Sequence, residues 1–145
     1  MGARILIVED EIFVAADLEA SLEELGHSSA GIAMDSATAY KIVENLSHSK
    51  PDLALVDVNL RDGQTGPVIG KTLSEKYGIK VIFVTANPAQ LGDGIPGTLG
   101  VISKPVDVKL IQDAIQFALS EEDAQDRKPP SGFMLFRTYS NRIGR

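Results

Sequence analysis

A chain of 145 residues, 43% of them hydrophobic, has the material for one domain with its own core plus a short extension. Its formal net charge of -6 argues against a surface that neutralises nucleic-acid phosphates, and no nucleic-acid partner is expected. The absence of cysteine excludes disulfides, thiolate nucleophiles and Cys-based zinc sites; no apolar run approaches membrane-spanning length, so the reading is a cytoplasmic protein with no membrane partner.

The first element is a short β-branched and Leu-rich run, Arg4 to Val8, apolar on both faces as a central parallel strand is. From Glu11 to Leu25 the residues Ile12, Ala15, Leu18, Leu22 and Leu25 recur at helical spacing, with Asp10 placed to cap the start and Gly26 to stop the end. Ser28 to Met34 reads as a small-residue strand. Ser36 to Leu46 reads as a helix with Ala39, Ile42, Val43 and Leu46 on one face. After Pro51, the apolar run Leu53 to Val56 ends abruptly in Asp57. A helix from Pro67 to Tyr77, a strand from Lys80 to Val84 that stops at Thr85, a strand from Val101 to Ser103 and a final helix from Val108 to about Leu119 complete the pattern.

Strands alternating with helices imply βαβ units, whose right-handed crossovers build a doubly wound parallel sheet. In such sheets chemistry gathers at the carboxyl ends of the strands. Those ends carry Glu9 and Asp10, Asp57, Thr85 and Lys104. Three carboxylates on one edge repel one another unless a cation sits among them, and magnesium, which takes oxygen ligands, suits Asp10, Asp57 and a nearby backbone carbonyl, with Glu9 acting through water. A carboxylate attacks phosphorus when the transferring charge is neutralised, and Lys104 is the fixed cation at that edge. The Thr85 hydroxyl is placed to bond a phosphoryl oxygen once one is attached, which would draw its loop inward.

Glu9-Asp10 after the first strand, Asp57 after the third, Thr85 after the fourth and Lys104-Pro105 after the fifth resemble the receiver domain of two-component response regulators over about residues 4 to 119. The resemblance implies a flavodoxin-like fold with five parallel strands in the order 2-1-3-4-5 and five helices. It implies a magnesium site, a cis peptide between Lys104 and Pro105, and a phosphoryl donor that is a histidine kinase or a histidine phosphotransfer protein. On that basis Asp57 is the phosphoacceptor, assisted by Lys104 and Thr85, with metal ligands from Glu9, Asp10, Asp57 and the carbonyl of Asn59. His27 and His48 are assigned no role.

The chain departs from the family in three places. Val101 stands where receivers usually carry an aromatic residue three before the lysine, so its signal must use backbone motion or a different side chain. The loop after Asp57 has Arg61, expected exposed, where many receivers have proline. From Asn87 to Gly100, where the fourth helix should lie, Pro88, Gly92, Gly94, Pro96, Gly97 and Gly100 predict a short or distorted element.

The final helix carries two apolar stripes, Val108, Ile111 and Ile115 on one side and Leu110, Ala114 and Phe117 on the other, which fits either a broad intramolecular contact or a partner face. Residues 1–120 are read as the receiver. Residues 121–145 are read as a tail that is disordered, docks on the last helix, or binds a partner; it holds an acidic stretch, Pro129-Pro130 and the apolar patch Gly132 to Phe136. The chain is thus read as a signalling phosphoacceptor, not a metabolic enzyme, that shuttles phosphate or signals to a downstream partner or a second copy through the face formed by the fourth helix, fifth strand and fifth helix. Two alternatives are a phosphorylation-independent interaction module and an aspartate-nucleophile phosphatase of the haloacid dehalogenase type, which expects an acid where Asn59 follows Asp57.

Overall fold

The computed structural model of the chain describes residues 2–45, 50–120 and 128–136. Strands β1 (Arg4–Val8), β2 (Ser28–Ala33), β3 (Leu53–Val56), β4 (Lys80–Thr85), β5 (Gly100–Ser103) and β6 (Phe133–Leu135) form one sheet in the order β2-β1-β3-β4-β5-β6. The first five are parallel, and β6 pairs antiparallel with β5. Helices α1 (Ile12–Glu24), α2 (Ser36–Asn45) and α3 (Gly66–Tyr77) connect successive parallel strands, a 3-10 turn, Pro88–Leu91, stands between β4 and β5, and α4 (Val108–Leu119) follows β5. The flavodoxin-like expectation holds, with two differences of count. The tail adds a sixth strand, and there are four α-helices among the described residues, because the glycines and prolines of the fourth connection permit only the 3-10 turn.

Side chains of a strand alternate between faces, and the two faces here bury two separate clusters. Ile5, Ile7, Leu53, Leu55, Ile82, Val84 and Ile102 pack with Ala15 and Leu22 of α1 and with Ile111, Ala114 and Ile115 of α4. Leu6, Val8, Ala54, Val56, Val81, Phe83 and Val101 pack with Ala39 and Val43 of α2 and Ile69 and Leu73 of α3. Because β1, β3 and β4 are covered on both sides, their sequences run apolar without alternation.

The helix ends show where local rules gave way. Asp10 does not cap α1; the helix begins after Glu11, whose N–H is taken by the Glu9 side chain at 3.1 Å. Gly26 and Gly78 end α1 and α3 with φ of 95° and 69°, conformations that favour glycine. Ile12 and Val108, expected in core stripes, are 49% and 46% exposed. The second stripe of α4 is covered by the tail: Phe117 meets Phe133 edge-on at 5.9 Å between ring centroids, and Leu110 lies over Gly132. Leu46, His48 and the acidic stretch 121–126 lie outside the described residues.

His27 is structural. Its Nδ1 accepts the Ala3 N–H at 3.0 Å and its Nε2 lies 2.9 Å from the Gln112 carbonyl oxygen, which places the proton on Nε2 and ties the start of β1 to α4. Gly70 of α3 faces the ring of Phe83 so closely that an added Cβ would stand 2.5 Å from its Cζ. Gly70→Ala is therefore expected to lower unfolding stability by about 1–3 kcal/mol in denaturant titration, through overpacking. An unchanged midpoint would show that α3 can shift off the sheet freely.

Candidate functional site: carboxylates bridged by a lysine

The side chains at the strand ends are aimed by the sheet itself. Hydrogen bonding runs one residue beyond each strand: Glu9 N–H donates to the Ala33 carbonyl at 2.8 Å, Asp57 N–H to Val8 at 2.9 Å and Lys104 N–H to Thr85 at 2.9 Å. Glu9 continues the alternation of Ile5 and Ile7, Asp57 that of Leu53 and Leu55, and Lys104 that of Ile102. All three therefore emerge on the face covered by α1 and α4. Thr85 continues Val81 and Phe83 and belongs to the opposite face.

Lys104 Nζ donates to Glu9 Oε1 at 2.6 Å and to Asp57 Oδ2 at 2.9 Å. The three side chains are largely enclosed, with 17%, 6% and 9% of their surface exposed. The second Asp57 oxygen, Oδ1, accepts the Val58 N–H at 2.7 Å. Glu9, Asp10 and Asp57 each offer a carboxylate oxygen within 4.8 Å of the others. Burial pushes the Glu9 carboxyl above its ordinary range, and the Asp57 charge adds to this, while the bonds from Lys104 and the Glu11 N–H work the other way. Burial alone would lower the Lys104 ammonium, but its hydrogen bonds to Glu9 and Asp57 outweigh that and hold it above the usual lysine value. The ammonium is thus firmly charged, and it pairs with two of the three clustered acids.

That imbalance tests whether a metal fits. Three carboxylates against one ammonium leave an excess of negative charge, and the donor set is entirely oxygen. Both features match a hard divalent cation such as magnesium. Thr85 is 1% exposed and its Oγ1 accepts the Asn87 N–H at 3.2 Å. Asn59 is exposed, and its side-chain amide donates to Gln90 Oε1 at 3.1 Å, linking the loop after Asp57 to the 3-10 turn. The Lys104–Pro105 peptide is cis. Arg61 is exposed, as expected, with its guanidinium 2.9 Å from the Met34 sulfur.

The response regulator receiver domain profile matches residues 5–116. The chain belongs to the response regulator receiver family. It is 35% identical over 129 residues to the phyllosphere-induced regulator PhyR of Methylorubrum extorquens, an alignment covering 88% of this chain and 48% of that protein. The solution structure of the receiver domain of Erythrobacter litoralis PhyR superposes with a TM-score of 0.70 at 30% identity, covering 81% of this chain and 90% of that one. The crystal structure of the anti-anti-sigma factor PhyR of Bartonella quintana gives 0.66 at 29% identity, covering 77% and 45%. The chain spans about half the length of the curated relative it matches. As a response regulator receiver it is a signalling domain of the two-component kind, not a classical enzyme.

Sequence reasoning passed over two residues that position the receiver site. A Cβ on Gly66 would stand 2.0 Å from the Asp57 carbonyl oxygen, so only glycine lets the start of α3 cross the loop that follows β3; its one signal in the sequence is a Gly-Pro pair at a helix start. Gln90 gave no signal, because its contact with Asn59 exists only once the chain is folded.

Lys104→Met removes the ammonium and leaves enclosed carboxylates uncompensated, which is expected to cost about 1–3 kcal/mol of unfolding stability without metal. Magnesium should then raise the melting temperature more in this variant than in the parent, since the dication becomes the only compensating charge. Equal magnesium responses in scanning calorimetry would count against a shared site.

Proposed function

We propose that Asp57 accepts a phosphoryl group from a histidine kinase or histidine phosphotransfer protein, and that the chain shuttles this group or signals by binding a partner. The observation that carries this is the pair of hydrogen bonds that Lys104 donates to Glu9 and Asp57 on an edge crowded with carboxylates. Glu9, Asp10, Asp57 and the Asn59 carbonyl would hold magnesium. When bound, it would supply charge neutralisation for the phosphoryl oxygens.

A carboxylate oxygen of Asp57 forms the new bond to phosphorus as the phosphorus–nitrogen bond of the donor breaks, and the donor imidazole keeps the electron pair. Lys104, already within hydrogen-bond reach, exchanges an Asp57 oxygen for a phosphoryl oxygen and remains paired with Glu9. Hydrolysis ends the state: a water oxygen bonds to phosphorus as the bond from phosphorus to the Asp57 oxygen breaks, inorganic phosphate leaves with the water's protons shared between it and solvent, and the carboxylate is regenerated. Thr85 turns from the Asn87 N–H toward the phosphoryl group, and the local event becomes a shift of the segment after β4.

The surroundings suit a protein donor. A groove of about 670 Å³ runs beside the site between α1 and the β5–α4 connection, lined by Phe13, Val14, Leu18, Pro105, Val106 and Ile111, with Asp57 and Lys104 also among its walls. Phe13 is 87% exposed, an apolar anchor beside the acceptor. The phosphatase reading lacks its general acid, since Asn59 stands two residues after Asp57. For the similar PhyR of Bartonella quintana, the described role is that of an anti-anti-sigma factor; a comparable control of a partner is the output we favour for this receiver.

With magnesium and acetyl phosphate, intact-mass analysis should show one phosphoryl addition that is absent in Asp57→Asn. Asp10→Asn should weaken magnesium binding by about tenfold, or ~1.4 kcal/mol, and Lys104→Met should slow labelling by about a hundredfold or more. Addition that persists in Asp57→Asn would refute the assignment. Phe13→Ala should slow transfer from a phosphorylated histidine protein while leaving labelling by acetyl phosphate unchanged; parallel losses with both donors would remove the groove from the account.

A further inference from the structure

Tail residues 133–136 are built into the receiver on both faces of its sheet. Gly100, Val101 and Ile102 pair with Leu135, Met134 and Phe133, and the Phe136 N–H donates to the Leu99 carbonyl at 2.8 Å. Phe133 and Phe136 are each 3% exposed. Phe133 enters the cluster beneath α4, while Phe136 enters the opposite one, its ring centroid 6.1 Å from that of Phe83. Glycines make the room: a Cβ on Gly94 would stand 2.7 Å from Phe136 Cγ, and one on Gly100 would stand 2.2 Å from the Met134 carbonyl oxygen.

The Phe136 notch is connected to the phosphoacceptor edge. Leu91, which ends the 3-10 turn, and Ile95 pack in the same cluster as Phe136. The turn is held at its start by the Asn87 N–H on Thr85 Oγ1 and at Gln90 by the Asn59 amide. When Thr85 turns to a phosphoryl oxygen, it releases Asn87 and loosens the wall of the notch.

We propose that the β5 edge and its two aromatic notches form a strand-docking surface, closed here by residues 133–136 of the chain itself, which phosphorylation of Asp57 opens to an extended partner segment. This rests on the phosphoacceptor reading above. The partner is defined by what now fills the surface. An uncovered β5 edge presents unpaired backbone groups, which an extended strand satisfies. The notches lie on opposite faces of the sheet, which aromatic side chains three residues apart reach from a single strand. A partner with that pattern displaces the tail without rearranging β5.

The test uses the full chain, with beryllofluoride and magnesium as the phosphoryl mimic and a fluorescent peptide of residues 128–136 as the probe. Loading should tighten peptide binding by about tenfold or more and speed amide exchange at Phe136, whose N–H is bonded to Leu99, by a similar factor, leaving β1 and β3 unchanged. A peptide with Phe133→Ala and Phe136→Ala should not bind. Reciprocally, Phe136→Leu in the full chain should raise the fraction phosphorylated by acetyl phosphate, because whatever opens the tail favours the phosphorylated state. If Asp57 is labelled but peptide affinity and tail exchange do not change, the docking surface is refuted and the phosphoacceptor reading stands. If Asp57 takes no phosphoryl group from acetyl phosphate or a protein donor, both fail together.

Discussion

Lys104 carries the electrostatics of the site. Glu9 and Asp57 arrive from β1 and β3, neighbours in the sheet, and the register that pairs Val8 with Val56 makes these carboxylates meet. Without an intervening cation the register would bring like charges together in a partly enclosed place, a penalty the sheet cannot avoid by sliding, since a one-residue slip would exchange the side chains packed in the two core clusters. Lys104 reaches both acids from β5, across the width of β4. The same ammonium that makes the resting sheet tolerable is the cation that the proposed phosphoryl transfer requires. Resting stability and chemistry therefore draw on one side chain.

Strand parity divides the chemistry from its readout. Glu9, Asp57 and Lys104 emerge on the α1/α4 face, beside the apolar groove that contains Phe13. Thr85 emerges on the other face, in line with Phe83, and bonds the connection that follows β4. In the proposed acceptor role a phosphoryl group on Asp57 would lie between the two, and the Thr85 hydroxyl, bonded to the Asn87 N–H, offers one route from one face to the other. Asn59 offers a second route over the top through Gln90. Both routes end on the 3-10 turn, the element whose sequence resists regular structure.

The parallel strands and the order of charged residues at their ends were legible because they depend on local signals: apolar runs too short for helices, followed immediately by acid, hydroxyl or amine. The family match followed from the same residues in the same order. Contacts made at a distance were not legible. Asp10 has the right type and position for a cap, yet Glu9 takes the free N–H, because its carboxylate is already fixed by a lysine 95 residues away. His27 looked idle in sequence because Ala3 and Gln112 are remote from it. Gly66 carries no positive φ; its requirement comes from the backbone of Asp57 passing beneath it. Val108 followed the helical period but lines the open groove, and Ile12 followed it but stands exposed as the first residue of α1.

The fourth connection and the tail are best understood as one feature. A connection rich in glycine and proline cannot lay a regular helix over Phe83 and Val101, and Val101 is itself small where the family usually has a ring. The space this leaves on that face of the sheet is taken by Phe136. Gly94 helps to forbid the helix and also admits the tail ring, so the loss of one element and the gain of the other have a common cause. A helix tied into the fold at both ends can shift but not depart. A three-residue antiparallel strand, held by one edge and two rings, can leave as a unit. With such a strand in place of a helix nested in the fold, the proposed opening of the β5 face needs only the tail to leave, not the remodelling of a helix.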